Sequence, residues 1–441
     1  MLGAVQTTIR YAKKNGLRAA IDAVCERLEQ RRIRYEYAAP AEEELEEQRG
    51  RKFQHPLKIS ILVPAYETPE DFLQDLILSV TDQTYEDYEL IIADASESDA
   101  VKAVVLSFQE QYGRIVYFRT ENRGISENTN AALEKATGDY VALLDHDDLL
   151  TKDALYRVRE AIDKATQSDG APVLIYSDED KCSEDLERYY EPNRKKDYDP
   201  EMLLTNNYIC HLSVYRADVI RRLKLRKEYD GSQDYDLILR ACRIAEEEGG
   251  AKRIVHIPQV LYHWRCHESS TASNPGSKEY AYEAGRRAIL DALKEKGLTG
   301  LSVSDTKHHG FYHVDYGEKI FSLREDIGVI GGPLYEEGYM AGGLTDAEGK
   351  VVFDGLKKGY SGTMHRADLQ QEAFAVDVRN MRVRDELIPL YEKMFGTEYP
   401  CDAQKTEDAK KLRSKSFDFC KKVREQGYKI FYDPLFTGGE E

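Results

Sequence analysis

The sequence predicts an α/β protein whose mostly parallel sheet carries helices on both faces. Between residues 57 and 185, short runs rich in Val, Ile and Leu alternate with longer segments in which apolar residues recur every three or four positions. The short runs stay apolar at consecutive positions, as strands covered on both faces do. Polar side chains follow the ends of these runs, at the edge where open α/β sheets bind their ligands.

Composition narrows the classes of function. The chain has 441 residues, is 41% hydrophobic and carries a formal net charge of -18, so we expect no nucleic-acid partner. An acidic protein holds an anionic substrate only with a cation or local basic groups. No window is apolar for about 18 residues, no signal peptide is recognisable, and the seven cysteines form no C-x-x-C pair. We therefore predict a cytoplasmic protein with reduced thiols.

Residues 1–50 are predicted to form a helical segment and a charged linker. Several Lys and Arg residues make the segment basic, and its apolar residues approximate one helical stripe, formed by Val5, Ile9, Ala12, Leu17, Ile21, Val24 and Leu28. Such a segment suits contact of residues 1–37 with an anionic membrane surface or with a partner. The alternative is a helix packed on the neighbouring domain with its basic face in solvent.

Residues 51–315 are predicted to form the main domain. Its strands are expected, in order, at KISILVPAY, YELIIADAS, RIVYFRT, GDYVALLD, PVLIYSDED and RIVHIPQVLYHW. Its helices are expected at TPEDFLQDLILSV, SENTNAALEKATG and TKDALYRVREAIDK, and again from GSQDYDLILR. In the first of these helices one apolar face is formed by Phe72, Leu73, Leu76, Ile77 and Val80.

Carboxylates crowd the end of the fourth strand, in the sequence DHDD. Unit charges about 4 Å apart repel by roughly 4 kcal/mol at an effective dielectric constant near 20. Asp145 and Asp147 are two residues apart, so on an extended strand tip they point to one side. A divalent cation would convert this repulsion into a binding site, and a few oxygen ligands with room for phosphates suit Mg2+ or Mn2+. We therefore predict a cation site that receives a diphosphate.

Two common nucleotide motifs are absent from the sequence. There is no G-x-x-x-x-G-K-[ST], and no G-x-G-x-x-G follows the first strand. The turn after that strand reads VPAYETP, so a nucleotide bound there must be held by other means.

Two longer stretches, SILVPAYETPEDFLQDLILSVTDQTYEDYELIIADAS and ENRGISENTNAALEKATGDYVALLDHDDLL, resemble the family 2 glycosyltransferases. This family has the GT-A fold, in which a half that binds a nucleotide sugar adjoins a half that binds the acceptor. The motifs YSDEDK, GSQDYDLILR and LYHWRCHESSTA are similar to the subgroup that builds bacterial cell-surface polysaccharides, which includes rhamnosyltransferases. The resemblance covers about residues 57–275.

The resemblance implies roles for particular side chains. The nucleotide would be bound by Pro64, Ala65, Tyr66, Glu67, Asp94, Arg123, Asn130 and Asp145. Asp145 and Asp147 would be the outer residues of the D-x-D motif at the metal, with His263 as a further metal ligand. The sugar or the acceptor would be contacted by Asp178, Asp180, Trp264 and Arg265. Trp264, the only tryptophan, suits a place in the core equally well.

Asp234 is the candidate catalytic base. Apolar periodicity predicts a helix that starts near Asp234, so a helix-capping carboxylate is the alternative. The resemblance implies that the Asp of a Glu-Asp pair here removes the proton of the acceptor hydroxyl. This sequence has Gln233 where the family often has Glu, but the Asp is retained.

Residues 316–441 are predicted to form a smaller α/β region. The stretch SFDFCKKVREQGYKIFYDPLF resembles the acceptor half of a second family 2 domain, whose nucleotide-binding half is missing. We expect a degenerate, partial second glycosyltransferase-like domain that serves packing, acceptor binding or self-association. Asp418 is either the remnant of a base or an ordinary helix surface residue.

These features predict an inverting, metal-dependent glycosyltransferase that uses Mn2+ or Mg2+. The donor would be a dTDP- or UDP-linked sugar, and the acceptor a glycan or lipid-linked glycan at the inner face of the cell membrane. A homodimer is a further expectation. Two alternatives stay open: a catalytically inactive pseudo-glycosyltransferase that scaffolds a polysaccharide assembly complex, and a nucleotidyltransferase that makes nucleotide sugars.

Overall fold

The computed structural model describes residues 2–30, 34–267, 279–400 and 408–438, with side chains described from residue 8 onward. The chain divides into two compact units. Unit 1 comprises residues 1–34, 199–206 and 297–441, and unit 2 comprises residues 35–198 and 207–296. The predicted boundaries at residues 50 and 315 stay predictions, because compactness within one chain does not define a domain that folds alone.

Helices and strands alternate along the described residues. The helices are α1 (Leu2–Asn15), α2 (Leu17–Gln30), α3 (Glu42–Gly50), α4 (Glu70–Thr81), α5 (Ala100–Gln109), α6 (Ile125–Lys135), α7 (Ala154–Ser168), α8 (Pro200–Leu203), α9 (Ala217–Leu223), α10 (Gln233–Glu248), α11 (Glu279–Glu295), α12 (Ile320–Leu323), α13 (Ile388–Phe395) and α14 (Ala409–Glu425). The strands are β1 (Ile59–Ala65), β2 (Tyr88–Asp94), β3 (Ile115–Arg119), β4 (Tyr140–Leu143), β5 (Leu149–Leu150), β6 (Leu174–Ser183), β7 (Tyr189–Asn193), β8 (Ser213–Arg216), β9 (Ile254–Cys266), β10 (Ser302–Asp305), β11 (Tyr312–Asp315), β12 (Ile327–Gly331), β13 (Leu334–Glu336), β14 (Tyr339–Gly342), β15 (Gln371–Ala373), β16 (Met381–Val383) and β17 (Lys429–Tyr432).

The sheet of unit 2 confirms the predicted α/β class. Strands β3, β2, β1 and β4 lie side by side in that order and run parallel. The antiparallel strand β8 comes next, followed by β6 and β9, which are parallel to each other. Strands β5 and β7 add antiparallel pairs with β9 and β6. The sequence did not predict β8, which is only four residues long.

The core of unit 2 lies on both faces of this sheet. Strand β2 is buried at every position, and β1 at every position but one. The predicted inner face of α4, including Leu73, Leu76 and Ile77, is fully buried. Strands covered on both sides cannot alternate polar and apolar residues, which explains their continuous Val, Ile and Leu content.

Unit 1 has a smaller sheet of its own. Its four strands follow the order β15, β17, β12, β16, and α13 and α14 contribute Tyr391, Phe395 and Phe419 to the core around it. Asp418 is exposed on α14, as an ordinary helix surface residue would be. The origin of this region as a degenerate second domain stays a prediction. Among the described residues, no helix combines the length and the apolar character that crossing a membrane requires.

Candidate active site

The DHDD segment joins β4 to β5 and places its carboxylates in two different environments. The side chains of Asp145 and Asp147 are 42% and 21% exposed, whereas Asp148 is buried. Asp148 accepts hydrogen bonds from the Tyr262 hydroxyl (2.5 Å) and from the backbone N–H of Arg265 (2.8 Å). Burial, and then the charges of Asp147 and Asp145, raise the pKa of Asp148 well above its usual range. Asp148 thus anchors the segment to β9 and leaves the other two carboxylates accessible.

Each accessible carboxylate faces an imidazole from another part of the chain. Nε2 of His211 lies 3.5 Å from Oδ2 of Asp145, and Nε2 of His267 lies 2.9 Å from Oδ2 of Asp147. His211 lies two residues before β8, whose antiparallel direction puts its first residue, Ser213, beside the end of β4. No spacing in the sequence pointed to His211, because its partners belong to other elements.

A buried ion pair holds the loop that carries His211. Nζ of Lys195 lies 3.5 Å from Oε2 of Glu179 and donates hydrogen bonds to the carbonyl oxygens of Ile209 (3.0 Å) and His211. Glu179 in turn accepts a hydrogen bond from the backbone N–H of His211 (2.6 Å). Removing one partner would leave a buried charge uncompensated. Sequence reasoning assigned no role to either residue. Lys195 belongs to no recognisable motif, and Glu179 lies in YSDEDK between the two aspartates that received roles.

Asp234 lies in the first turn of α10, next to the same cluster. Nε2 of Gln233 donates a hydrogen bond to Oδ2 of Asp234 (3.0 Å). Burial and the negative charge of Asp145 raise the pKa of Asp234 to about 6, while His211 acts in the opposite direction. A carboxyl group with a pKa near the working pH is well suited to exchange a proton. In this structure Asp234 therefore has neighbours that a plain helix-capping role would not require.

Atoms that coordinate metals also converge here. One ligand atom from each of Cys210, His211 and Asp234 lies within 4.8 Å of the others. Burial raises the pKa of the Cys210 thiol well above its usual range, and a protonated thiol is a poor ligand. The useful donors are therefore imidazole nitrogens and carboxylate oxygens. The carboxylate oxygens of Asp145 and Asp147 belong to this set. Such a donor set fits Mn2+ or Mg2+.

His263, the predicted third metal ligand, is engaged elsewhere. Its Nδ1 lies 2.5 Å from Oδ1 of Asp180, whose other oxygen accepts a hydrogen bond from the Tyr35 hydroxyl (2.7 Å). Both His263 and Asp180 are buried. The imidazole that meets Asp147 is that of His267, four residues further along the chain. These contacts favour His267 over His263 beside the D-x-D carboxylates.

The predicted sugar or acceptor residues on β6 are enclosed by protein partners. Asp178 accepts a hydrogen bond from the backbone N–H of Lys195 (2.8 Å), and its Oδ1 lies 2.9 Å from Nε2 of His256. Nδ1 of His256 lies 3.0 Å from Asp197. Because Asp178 and Asp180 are 2% and 0% exposed, a substrate would have to displace these partners.

Arg265 and Trp264 of β9 both pack against other parts of the protein. Arg265 is 1% exposed, donates a hydrogen bond to Asp75 (2.9 Å) and covers the ring of Phe72 at 4.3 Å. The Arg265 guanidinium is enclosed by these partners, which favours a role in packing over the predicted contact with the sugar or the acceptor. Trp264 packs against the hydrophobic core, which agrees with the alternative role given to it above.

The predicted nucleotide residues at the end of β1 lead into an exposed turn. Pro64 and Ala65 end the strand, and the following Tyr66 is 46% exposed. Glu67 has a φ of 46°, a left-handed conformation that is costly for a residue with a side chain. Its carboxylate accepts hydrogen bonds from Ser98 Oγ (2.6 Å) and from two backbone N–H groups of the loop after β2. Glu67 thus joins the turn after β1 to the loop after β2, where the nucleobase is predicted to bind.

The other predicted nucleotide residues differ in their surroundings. Asp94 is fully buried at the end of β2 and accepts hydrogen bonds from the Tyr117 hydroxyl (2.7 Å) and the Ser96 backbone (2.9 Å). Arg123 is exposed and pairs with Glu121 at 2.8 Å.

Asn130 is buried in α6 and its amide is occupied by the backbone of Leu225. It donates to the Leu225 carbonyl (2.8 Å) and accepts from the Leu225 N–H (2.9 Å). Its contacts are those of a structural clamp.

Comparison with known proteins relates the central part of the chain to one family of enzymes. Residues 60–224 match the model of glycosyl transferase family 2. Over these residues the chain is therefore similar to the family 2 glycosyltransferases, which confirms the resemblance seen in the sequence.

Individual relatives are similar over part of their length. The chain is 38% identical over 256 residues to the uncharacterized protein y4gI of Sinorhizobium fredii. The aligned region is 57% of this chain and 27% of that protein. It is 31% identical over 242 residues to the O-antigen biosynthesis protein RfbC of Myxococcus xanthus, which covers 54% of this chain and 18% of that protein. The chain therefore spans less than a third of the length of these curated relatives. Among solved structures, S. aureus TarS 1-349 in complex with UDP-GlcNAc is 19% identical, with a TM-score of 0.42, over 54% of this chain and 66% of that one.

Proposed function

We propose that this chain is an inverting, metal-dependent glycosyltransferase that moves a hexosyl or rhamnosyl group from a dTDP- or UDP-linked donor to a glycan or lipid-linked acceptor. The observation that carries the proposal is the buried carboxyl group of Asp234, whose pKa is raised to about 6 and which lies beside His211 and Asp145 of the segment that matches family 2. A role in cell-surface polysaccharide synthesis is supported by the name of the O-antigen relative.

The proposed chemistry is a single displacement at the anomeric carbon. The acceptor hydroxyl oxygen forms a bond to that carbon, the bond from carbon to the diphosphate oxygen breaks, and the hydroxyl proton passes to Asp234. Gln233 keeps the Asp234 carboxylate in place through its hydrogen bond. A positioned general base of this kind contributes about 10²–10⁴-fold to the rate.

Asp145 and Asp147 would hold the divalent cation, with His267 as a further ligand in place of His263. Their carboxylates are accessible and each lies near an imidazole. A bound cation would stabilise the negative charge that develops on the departing diphosphate. Burial is the main reason why the pKa values of Asp234 and Asp148 are raised, and the cation would relieve the repulsion by neighbouring aspartates that adds to it.

The nucleotide would lie over the ends of β1 and β2. Tyr66 offers an exposed ring for the base. Asp94 is fully buried, so its carboxylate would reach the base only by giving up its hydrogen bond from the Tyr117 hydroxyl. Glu67 would shape the turn between them through its bonds to the neighbouring loop.

Thermal unfolding with nucleotides tests the proposal. UDP, dTDP, GDP and CDP are each added with and without Mn2+ to the wild type, to Asp147→Ala and to Asp82→Ala, which alters an exposed carboxylate at the end of α4. We expect one nucleotide to raise the unfolding temperature only when Mn2+ is present, in the wild type and in Asp82→Ala but not in Asp147→Ala. Ligand at 100 times its Kd stabilises the folded state by about 2.7 kcal/mol. No shift with any nucleotide would contradict the proposal and favour the scaffold alternative.

A further inference from the structure

Helix α2 turns an apolar stripe toward solvent. Leu17, Ile21, Val24 and Leu28 are 73%, 54%, 42% and 55% exposed. Their spacing of four, three and four residues places them on one face of the helix. The sequence predicted this stripe, but in an ordinary globular protein such a face would pack against the core.

The opposite face of α2 is the one that contacts protein. Glu26 is 7% exposed, and its carboxylate accepts hydrogen bonds from the backbone N–H groups of Ser361 (3.0 Å) and Gly362 (2.7 Å). Ala20, about 60° from Leu17 around the helix axis, is also buried, at 3% exposed. A buried carboxylate with backbone donors fixes the orientation of the helix, since turning it over would leave those polar groups unsatisfied. The outward direction of the apolar stripe is therefore built into the fold.

Basic residues border the stripe on both sides. Arg18 and Arg27 are exposed, about 100° and 80° away from Leu17 around the helix axis at 100° per residue. Residues 1–34 hold eight of the 62 Lys and Arg but only three of the 80 Asp and Glu. One of those three is buried Glu26, and another, Glu29, accepts a hydrogen bond from the Tyr360 hydroxyl (2.9 Å). A chain with a net charge of -18 thus concentrates positive charge next to exposed apolar side chains.

We propose that the outer face of α2 lies on the surface of an anionic lipid bilayer. Apolar side chains flanked by arginines are what an interfacial helix needs to enter the acyl boundary while pairing with lipid phosphates. At about 1.5 Å per residue, the 14 residues of α2 span about 21 Å along the surface. A second copy of the chain fits less well, because it would bring like-charged arginine borders together. This inference is independent of the proposed function.

Vesicle co-sedimentation of the full chain tests the proposal. One set of vesicles contains phosphatidylglycerol and phosphatidylcholine in equal amounts, and the other contains phosphatidylcholine alone. Leu17→Gln with Ile21→Gln removes half of the stripe, and Arg18→Gln with Arg27→Gln removes its border. Glutamine keeps a good helix propensity. Leu435→Gln, which alters another exposed leucine of unit 1, 67% exposed, is the matched control.

We expect the wild type and the control to sediment with the anionic vesicles and much less with phosphatidylcholine. Each double variant should reduce the partition coefficient by about tenfold or more, because apolar burial or lipid pairing is lost. An unchanged unfolding temperature of the variants would show that the loss is local. Equal sedimentation with and without vesicles, or wild-type partition of the apolar double variant, would overturn the proposal. A wild-type dimer that the apolar variant dissociates, without any vesicle binding, would overturn it in favour of a second copy.

Discussion

Asp234 acquires its properties from the side chains around it. The charge of Asp145 and burial favour its protonated form, whereas His211 and the amide of Gln233 favour the carboxylate. The neighbouring Asp236, two residues along the same helix, pairs with Arg226 and with Arg240. Two aspartates in one helical turn thus have different environments, and of the two only Asp234 lies beside Asp145 and His211.

Replacing Asp234 by Asn tests its role as a base. Turnover should fall by about 10²–10⁴-fold, while metal-dependent stabilisation by nucleotide should persist. Asp236→Asn is the contrasting variant, since losing two arginine partners should lower the unfolding temperature. Full turnover in Asp234→Asn would exclude the assigned role.

The pKa of Asp234 predicts a pH dependence. A base must be ionised to accept a proton, so kcat/KM should fall at low pH and level off as the pH rises. Because a bound cation offsets the charge of Asp145, the limb should lie below pH about 6. Gln233→Glu replaces a hydrogen-bond donor by a like charge and should move this limb to higher pH. Glu247→Gln, on the exposed far end of α10, should leave the limb in place. If the pH dependence of kcat/KM is the same in Gln233→Glu as in the wild type, Gln233 does not influence the ionisation of the base.

At the scale of elements, strand ends bring the candidate residues together. Strands β1, β2 and β4 are parallel, so the residues that follow them share one edge of the sheet. This arrangement was predictable, because a continuous apolar run identifies such strands. The short antiparallel β8 was not predictable, and it delivers His211 to the same edge from the opposite direction. A strand of four residues is too short to show a recognisable pattern of polar and apolar residues. The order of strands in a sheet depends on contacts between residues that are far apart in the sequence.

Helix α6 offers a prediction about Asn130. Asn130→Ala should lower the free energy of unfolding by about 1–3 kcal/mol, because both buried backbone groups of Leu225 lose their partners. Denaturant unfolding measures this change, with the exposed Lys135→Ala as control. If Asn130 instead binds nucleotide, stability would be unchanged and nucleotide affinity alone would fall.

For the whole molecule, net charge is the property with the most direct consequence. A charge of -18 at neutral pH produces repulsion between parts of the folded chain. This charge is distributed unevenly, since the first 34 residues are basic. The basic N-terminal segment therefore suits an anionic surface as partner, whereas the acidic chain as a whole suits a cation.

Added salt should stabilise the protein. Raising NaCl shortens the Debye length to about 10 Å at 0.1 M and screens the repulsion, so the unfolding temperature should rise from its value in dilute buffer. Differential scanning fluorimetry over an NaCl series, without divalent cations, measures the effect. A fall in unfolding temperature would indicate that the ion pairs of the fold outweigh the net repulsion.

By itself, the sequence determined the α/β class, the positions of the long strands, the acidic tip at Asp145 and Asp147, and the candidate base Asp234. The first three follow from local periodicity and spacing, which backbone geometry imposes on each element separately. Asp234 as the candidate base follows from the resemblance to the family 2 glycosyltransferases. Only the tertiary structure decided which imidazole meets which carboxylate, that Asp148 and Arg265 are buried, and that α2 presents its apolar stripe to solvent. Those properties depend on which elements become neighbours, and the free energy of such contacts involves residues far apart in the chain.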